Sequence, residues 1–194
     1  MSYRIGRAGT TRGNPVQDRN ALAGRIFKAS NLQGEFRLRS GVTSNEYFDK
    51  YLFEADPPLL KDIALAMKRL VPAPAEVDAL AGLELGGVPL VTMLSQVTGL
   101  PALFVRKAAK EYGTCRLAEG GEVQGRRLVI VEDVVTSGGQ VILSAAELRR
   151  LGGRVAVVLC VIDRESGGRK NLLGEGLELR PLFTMSELKA AAGQ

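Results

Sequence analysis

Apolar residues in the second half of the chain gather into short solid runs, separated by stretches in which they recur every three or four positions. Leu128 to Val131 and Val155 to Ile162 are uninterrupted, and Val77 to Ala81 and Ala102 to Val105 give two further strand segments. Strands covered on both faces read as solid runs because neither face meets water, so this pattern predicts a largely parallel sheet between helices. The stretches between supply those helices. Asp56-Pro57 opens one whose Leu60, Ile63, Ala64, Met67 and Val71 share a face before Pro72 stops it. The segment GLELGG, 82–87, turns into a helix of about 88–98, and Gln140 to Leu151 is amphipathic and ends at Gly152-Gly153. With Leu128–Val131 before it and Arg154–Ile162 after it, that helix completes one βαβ unit. A strand at Leu177–Phe183 and a short helix follow, the latter announced by Thr184 and Glu187 at capping-box spacing.

The first third reads differently. Residues 1–13 are basic and glycine-rich without periodicity, a flexible lead-in to which no site is assigned. Asn14-Pro15 signals a helix start, and Leu22, Ile26 and Ala29 carry it over about 15–31. Phe36 and Leu38 alternate with Arg37 and Arg39, break at Ser40-Gly41 and resume near Tyr47-Phe48, which predicts a hood or edge hairpin. Residues 106–122, RKAAKEYGTCRLAEGGE, have no sustained apolar period, four basic side chains and three glycines, and are expected to form a mobile loop. At 194 residues the chain suits one sizeable core, so residues 14–194 are read as a single α/β domain without internal repeats.

Composition narrows the chemistry. The absence of histidine excludes Ser-His and Cys-His nucleophiles and histidine zinc sites. Cys115 and Cys160 are too few for a disulfide framework and form no Cys-x-x-Cys pair, which fits a reducing cytoplasm. No apolar run approaches the roughly 20 residues of a bilayer span, and the first thirty residues scatter arginines where a secretory signal needs an apolar stretch. The net charge of +5 suits small anions and nucleic acid alike and decides nothing.

One string carries chemistry. LVIVEDVVTSGGQV, 128–141, places Glu132 and Asp133 just past a buried strand, at the carboxyl end where open α/β sheets bind ligands. Thr136, Ser137, Gly138 and Gly139 then make a hydroxyl-rich turn into a helix, whose unpaired amides and dipole favour a phosphate. Carboxylates would repel a bare anion, so their natural partners are sugar hydroxyls, with a magnesium ion linked through water. A phosphorylated ribose satisfies both halves. Two acids alone would be an ordinary solvated strand end; the whole string in a strand-to-helix setting is not. Neither a Walker A lysine nor a Gly-x-Gly-x-x-Gly follows the strand.

EDVVTSGGQ resembles the signature by which type I phosphoribosyltransferases bind phosphoribosyl pyrophosphate (PRPP). FRLRSG at 36–41, VRKAAKEYGT at 105–114 and IDRESGG at 162–168 narrow the likeness to the orotate phosphoribosyltransferases, especially the form fused to a decarboxylase, although no decarboxylase domain fits in this chain. The resemblance implies a mainly parallel sheet flanked by helices, a small N-terminal hood and a flexible catalytic loop. It implies transfer of phosphoribosyl from PRPP to orotate, with Mg2+ carried by PRPP rather than ligated directly by the protein. It implies PRPP contacts from Arg39, Arg106, Lys107, Lys110, Glu132, Asp133, Val134, Val135, Thr136, Ser137, Gly138, Gly139 and Gln140, of which Lys110, Glu132 and Asp133 are catalytic. Orotate contacts fall to Tyr47, Phe48, Thr136 and Arg164. A homodimer sharing the 106–122 loop across its interface is likewise implied, with no nucleic-acid or membrane partner.

Two departures stand out. Many bacterial members carry histidine two residues after the loop lysine, where this chain has Tyr112, and a Tyr-Lys around the GLELGG turn, where it has Leu85 and Gly86. That lysine contact is missing here. Alternative readings on the same scaffold are a purine or uracil transferase, which Arg164 disfavours, and a PRPP-sensing regulator that binds nucleic acid, which the cationic loop disfavours.

Overall fold

The computed structural model describes residues 18–37, 41–107 and 117–193. The expected lead-in at 1–13, and the predicted site residues Arg39 and Lys110 with Tyr112, lie outside the described residues.

A helix α1 (Arg19–Ser30) opens the described chain, its amide ends capped by Asp18, whose carboxylate accepts from the N–H of Ala21 at 2.9 Å. The cap moves the start four residues past the one expected from Asn14-Pro15. Strands β1 (Asn31–Arg37) and β2 (Thr43–Phe48) pair antiparallel in a sheet of their own, which is the predicted hairpin. A five-residue helix α2 (Lys50–Glu54) and then α3 (Pro57–Met67) follow. The alternating half begins with β3 (Ala79–Leu83), α4 (Gly87–Thr98) and β4 (Ala102–Val105). It continues through the two-residue β5 (Ala118–Glu119), β6 (Arg127–Val135), α5 (Gly139–Arg150) and β7 (Arg154–Asp163). Helix α6 (Gly168–Gly174), β8 (Glu178–Thr184) and α7 (Met185–Ala191) complete it, and Thr184 and Glu187 form the expected capping box.

The main sheet has the order β5-β4-β3-β6-β7-β8, parallel except for β5. Alternate residues of each strand enter two cores. Leu80, Val129 and Val131 pack with Ile26, Phe53, Ile63, Met67, Leu90 and Leu94 on one face. Ala79, Ala81 and Ile130 pack with Val141, Ala145, Leu148 and Leu172 on the other. Both faces are dry, which is why the strands read as solid apolar runs. From β3 the chain moves outward through β4 and β5, then returns to lay β6 on the other side of β3 and continues outward through β7 and β8. The order therefore reverses between β3 and β6, and at such a switch point the loops leaving the two strands' carboxyl ends diverge and open a crevice.

Candidate active site

The crevice lies between the 84–87 turn after β3 and the acids of β6. Glu132 and Asp133 do not follow that strand, as the sequence suggested, but sit in it: Glu132 pairs with Cys160, and the ladder continues to Val135 opposite Asp163. The apolar run ends at Val131, but hydrogen bonding to β7 carries the strand four residues further.

Both carboxyl groups abut the turn. A Cβ added to Gly86 would fall 1.6 Å from Asp133 Oδ2 and 2.9 Å from Glu54 Oε1, and one added to Gly87 would fall 3.4 Å from Glu132 Oε2. Asp133 is fully buried. Its Oδ1 accepts from the N–H of Val134 at 2.5 Å, and its Oδ2 lies 2.6 Å from the Lys50 ammonium. Glu54 comes up from α2 on the same side. Burial, with a hydrogen bond to Asp133 and repulsion from its charge, pushes the Glu54 carboxyl up to about 9, so it keeps its proton at neutral pH. Burial pulls the Lys50 ammonium down, but Asp133 and Glu132 more than offset it and leave it raised. Glu132 is held well above the usual carboxylate range by burial and by the charge of Asp133, and its Oε2 is buried without a hydrogen-bond partner. An unpartnered buried oxygen facing a crevice is an open valence for a ligand.

Beyond the acids, Thr136, Ser137, Gly139 and Gln140 are exposed and Gly138 is buried. Gly138 adopts φ +81°, a left-handed conformation that only glycine takes cheaply, and caps α5 with no side-chain hydrogen bond to the first amides. Those N–H groups are left for an anion. Helix α6 supports the loop from beneath: Asn171 Nδ2 donates to Ser137 O at 3.0 Å, and Gly168 passes so close that a Cβ there would lie 2.5 Å from Thr136 O. Val135 belongs to one core and the half-buried Val134 packs against the other, which leaves chiefly their backbone for any ligand.

Arg106 and Lys107 follow β4 at the same edge of the sheet. The N–H of Lys107 donates to Glu84 Oε1 at 2.6 Å, and Arg106 Nε is buried without a partner. On the other side of the acids, Arg164 follows β7, its N–H donating to Val135 O at 2.9 Å. It shares a cavity of about 350 Å3 with Tyr47 and Phe48 of the hairpin and with Glu46 and Lys189. Glu46 is taken by Lys189 at 3.3 Å, and among the described residues no acid pairs with Arg164. Three of the four residues expected to meet orotate thus line one cavity, while Thr136 stands outside it. A larger cavity, about 510 Å3, lies at the opposite end of the strands among Arg127, Arg149, Arg154 and Arg180. Those guanidinium groups serve the fold, bonding Asp78, Glu178 and the carbonyls of Val155, Glu175 and Gly125.

The sequence reading missed Lys50, Glu54, Gly168 and Asn171. Only Asp49, a helix cap followed by Lys50 and Glu54 four residues apart, hinted at the first two. Among the described residues no three His, Cys, Asp or Glu side chains are grouped to cage a metal ion. Glu132 Oε2, buried without a hydrogen-bond partner, is the site's carboxylate oxygen placed nearest Gly87 of the turn.

Comparisons with known proteins point to one family. Residues 53–172 match the family model described as phosphoribosyl transferase domain. An orotate phosphoribosyltransferase of Nocardioides sp. is 55% identical over 170 residues, 88% of this chain and 94% of the relative, and that of Methanocella arvoryzae is 43% identical over 155 residues, 80% of this chain and 87% of the relative. Among solved structures, orotate phosphoribosyltransferase of Aeropyrum pernix superposes with a TM-score of 0.76 at 31% identity, covering 89% of this chain and 98% of that one. The Mycobacterium tuberculosis enzyme in complex with PRPP superposes with a TM-score of 0.75 at 28% identity, covering 88% and 98%. From crevice, loop and relatives together, the chain belongs to the orotate phosphoribosyltransferases of the type I phosphoribosyltransferase family.

Proposed function

We propose that the protein transfers the 5-phosphoribosyl group of PRPP to orotate, giving orotidine 5'-monophosphate and pyrophosphate in pyrimidine biosynthesis. The observation that carries this reading is the switch-point crevice, where uncapped α5 amides and the unpartnered Glu132 oxygen lie near a cavity in which Arg164 pairs with no acid among the described residues. The amides of 137–140 would take the 5'-phosphate and Glu132 the ribose hydroxyls. Orotate's ring nitrogen attacks the anomeric carbon as the bond to pyrophosphate breaks; the pyrophosphate departs with the electron pair, and the ring-nitrogen proton passes to it or to solvent. No protein nucleophile is needed.

Glu132 contributes more than grip. Its ionised form is disfavoured in the empty site by burial and by Asp133, a cost that positive charge developing on the ribose relieves. The acid therefore binds an oxocarbenium-like transition state more strongly than the neutral sugar, the differential that lowers a barrier. Arg106, Lys107 and Lys110 would neutralise the leaving pyrophosphate, with Arg39 a further PRPP contact. Mg2+ carried on PRPP would supply additional charge neutralisation there. Arg164 would fork onto the orotate carboxylate with Tyr47 and Phe48 flanking the ring. An unpaired guanidinium in the cavity favours this base over uracil, which lacks the carboxylate. We further propose a cytoplasmic homodimer sharing the 106–122 loop; no described helix is long and apolar enough to cross a membrane.

The test is a panel of orotate, uracil and purine bases with PRPP and Mg2+, each followed for pyrophosphate release. Turnover with orotate is expected to exceed that with uracil by orders of magnitude. Turnover with another base instead, or nucleic-acid binding with no turnover of any base, would overturn the reading.

A further inference from the structure

Lys50 and Glu54 have no part in the chemistry just described, yet with Asp133 they tie two elements together at the floor of the PRPP crevice and abut the 84–87 turn. Lys50 and Glu54 stand four residues apart, one helical turn, and so share a face of α2. That helix is anchored by Phe53, which is fully buried, and by Asp49, whose carboxylate accepts from the N–H of Tyr51 at 3.0 Å. Its two polar side chains stand beside Asp133, which has no exposure to water: Lys50 Nζ lies 2.6 Å from Asp133 Oδ2, and Glu54 Oε1 is buried beside it with no donor among the described residues. Oδ2 in turn occupies the space a side chain at residue 86 would need. The 84–87 turn thus rests on a carboxylate that the hairpin's outgoing helix holds in place.

We propose that Lys50 and Glu54 are positioning residues that clamp Asp133 beneath the 84–87 turn and so set the shape and charge of the PRPP crevice, in a chain whose turn has no lysine of its own. The proposal rests on the PRPP-site reading above.

Charge argues for the clamp. Glu54, Glu132 and Asp133 crowd one spot, and Lys50 is the cation the structure sets against Asp133. The groups facing Glu54 are Lys50 and Asp49 from its own end of the chain and Asp133 and Glu132 from β6; the turn adds only the backbone of Gly86. With Glu54 protonated, the crevice admits a polyanion. As Glu54 loses its proton near pH 9, the negative charge added beside Asp133 and Glu132 weakens PRPP binding.

The experiment is calorimetric binding of PRPP with Mg2+, which needs no accepting base, on the wild type and on Lys50→Met, Lys50→Arg and Glu54→Gln. Lys50→Met is expected to weaken PRPP binding about tenfold or more, an order set by the roughly tenfold that each 1.4 kcal/mol confers, and Lys50→Arg to recover most of it. Between pH 7.5 and 10 the wild type is expected to lose affinity by about tenfold, and Glu54→Gln to change by less than about twofold. The Glu54→Gln profile stands even if Lys50→Met does not fold. Unaltered affinity in folded Lys50→Met, or an alkaline loss that persists in Glu54→Gln, would overturn the clamp. If the wild type binds PRPP but turns over no orotate, the choice of base fails and the clamp is still decided. If it does not bind PRPP at all, both fall.

Discussion

Replacing Gly86 by alanine sets two effects of opposite sign against each other. Gly86 has φ −65° and ψ −29°, helical values that alanine adopts freely. On backbone grounds the change stabilises, by up to about 1 kcal/mol, because alanine has less unfolded-state freedom to lose. The new Cβ, however, lands 1.6 Å from Asp133 Oδ2 and 2.4 Å from its Cγ. Ordinary contact needs about 3.5 Å, so the carboxylate must retreat by roughly 2 Å. Asp133 has no exposed surface to retreat into, and moving abandons the 2.6 Å pairing with Lys50. Overpacking a core costs about 1–3 kcal/mol and breaking a buried ion pair about 3–5 kcal/mol. Lys50 is one-third exposed and regains water, which trims the second figure. The net expectation is a loss of about 2–4 kcal/mol, a fall in Tm of roughly 5–15 °C for a chain this size. Urea unfolding of wild type, Gly86→Ala, Asp133→Ala and the double variant measures it. Once the carboxylate is gone, Gly86→Ala should cost less than about 0.5 kcal/mol. A Gly86→Ala protein as stable as wild type, or an equal loss in both backgrounds, would refute the reasoning.

Other expectations concern individual residues. Arg164→Ala should raise the KM for orotate about tenfold and leave that for PRPP within about twofold, since a hydrogen bond to a charged group contributes about 1.5–3 kcal/mol and Arg164 is exposed; steady-state kinetics in both substrates checks it. Lys110→Ala should lower kcat far more than it weakens PRPP binding, and an unchanged turnover number would remove that lysine from the mechanism. Gly168→Ala would drive a Cβ to 2.5 Å from Thr136 O and 2.7 Å from Val135 Cγ1, and should weaken PRPP binding several-fold by displacing the phosphate loop.

The architecture was legible because its signals are local. Solid runs at 128–131 and 155–162 gave β6 and β7, and the periodic stretch at 140–151 gave α5 to within one residue. Three elements gave too little signal: β5 has two residues, α2 five, and α6, GRKNLLG, shows no sustained apolar period. Within the site, the acids and the phosphate loop were readable because one contiguous string holds them. The meeting of Tyr47 and Phe48 with Arg164 depends on packing between residues more than a hundred positions apart, and only family resemblance anticipated it. The same holds for Lys50 and Asp133, whose approach no local period encodes. Reading the strand as ending at its first charged residue also hid that Asp133 faces the core, where its partner had to be sought on another element.

The central claim is that the end of β6 and the start of α5 hold ribose and phosphate together. A crystal structure with PRPP and Mg2+ bound tests it most directly. The expected result is the 5'-phosphate on the amides of residues 137–140, the ribose hydroxyls within hydrogen-bond reach of Glu132, and the pyrophosphate toward Arg106 and Lys107. PRPP seated elsewhere, with Glu132 Oε2 still without a partner, would contradict it.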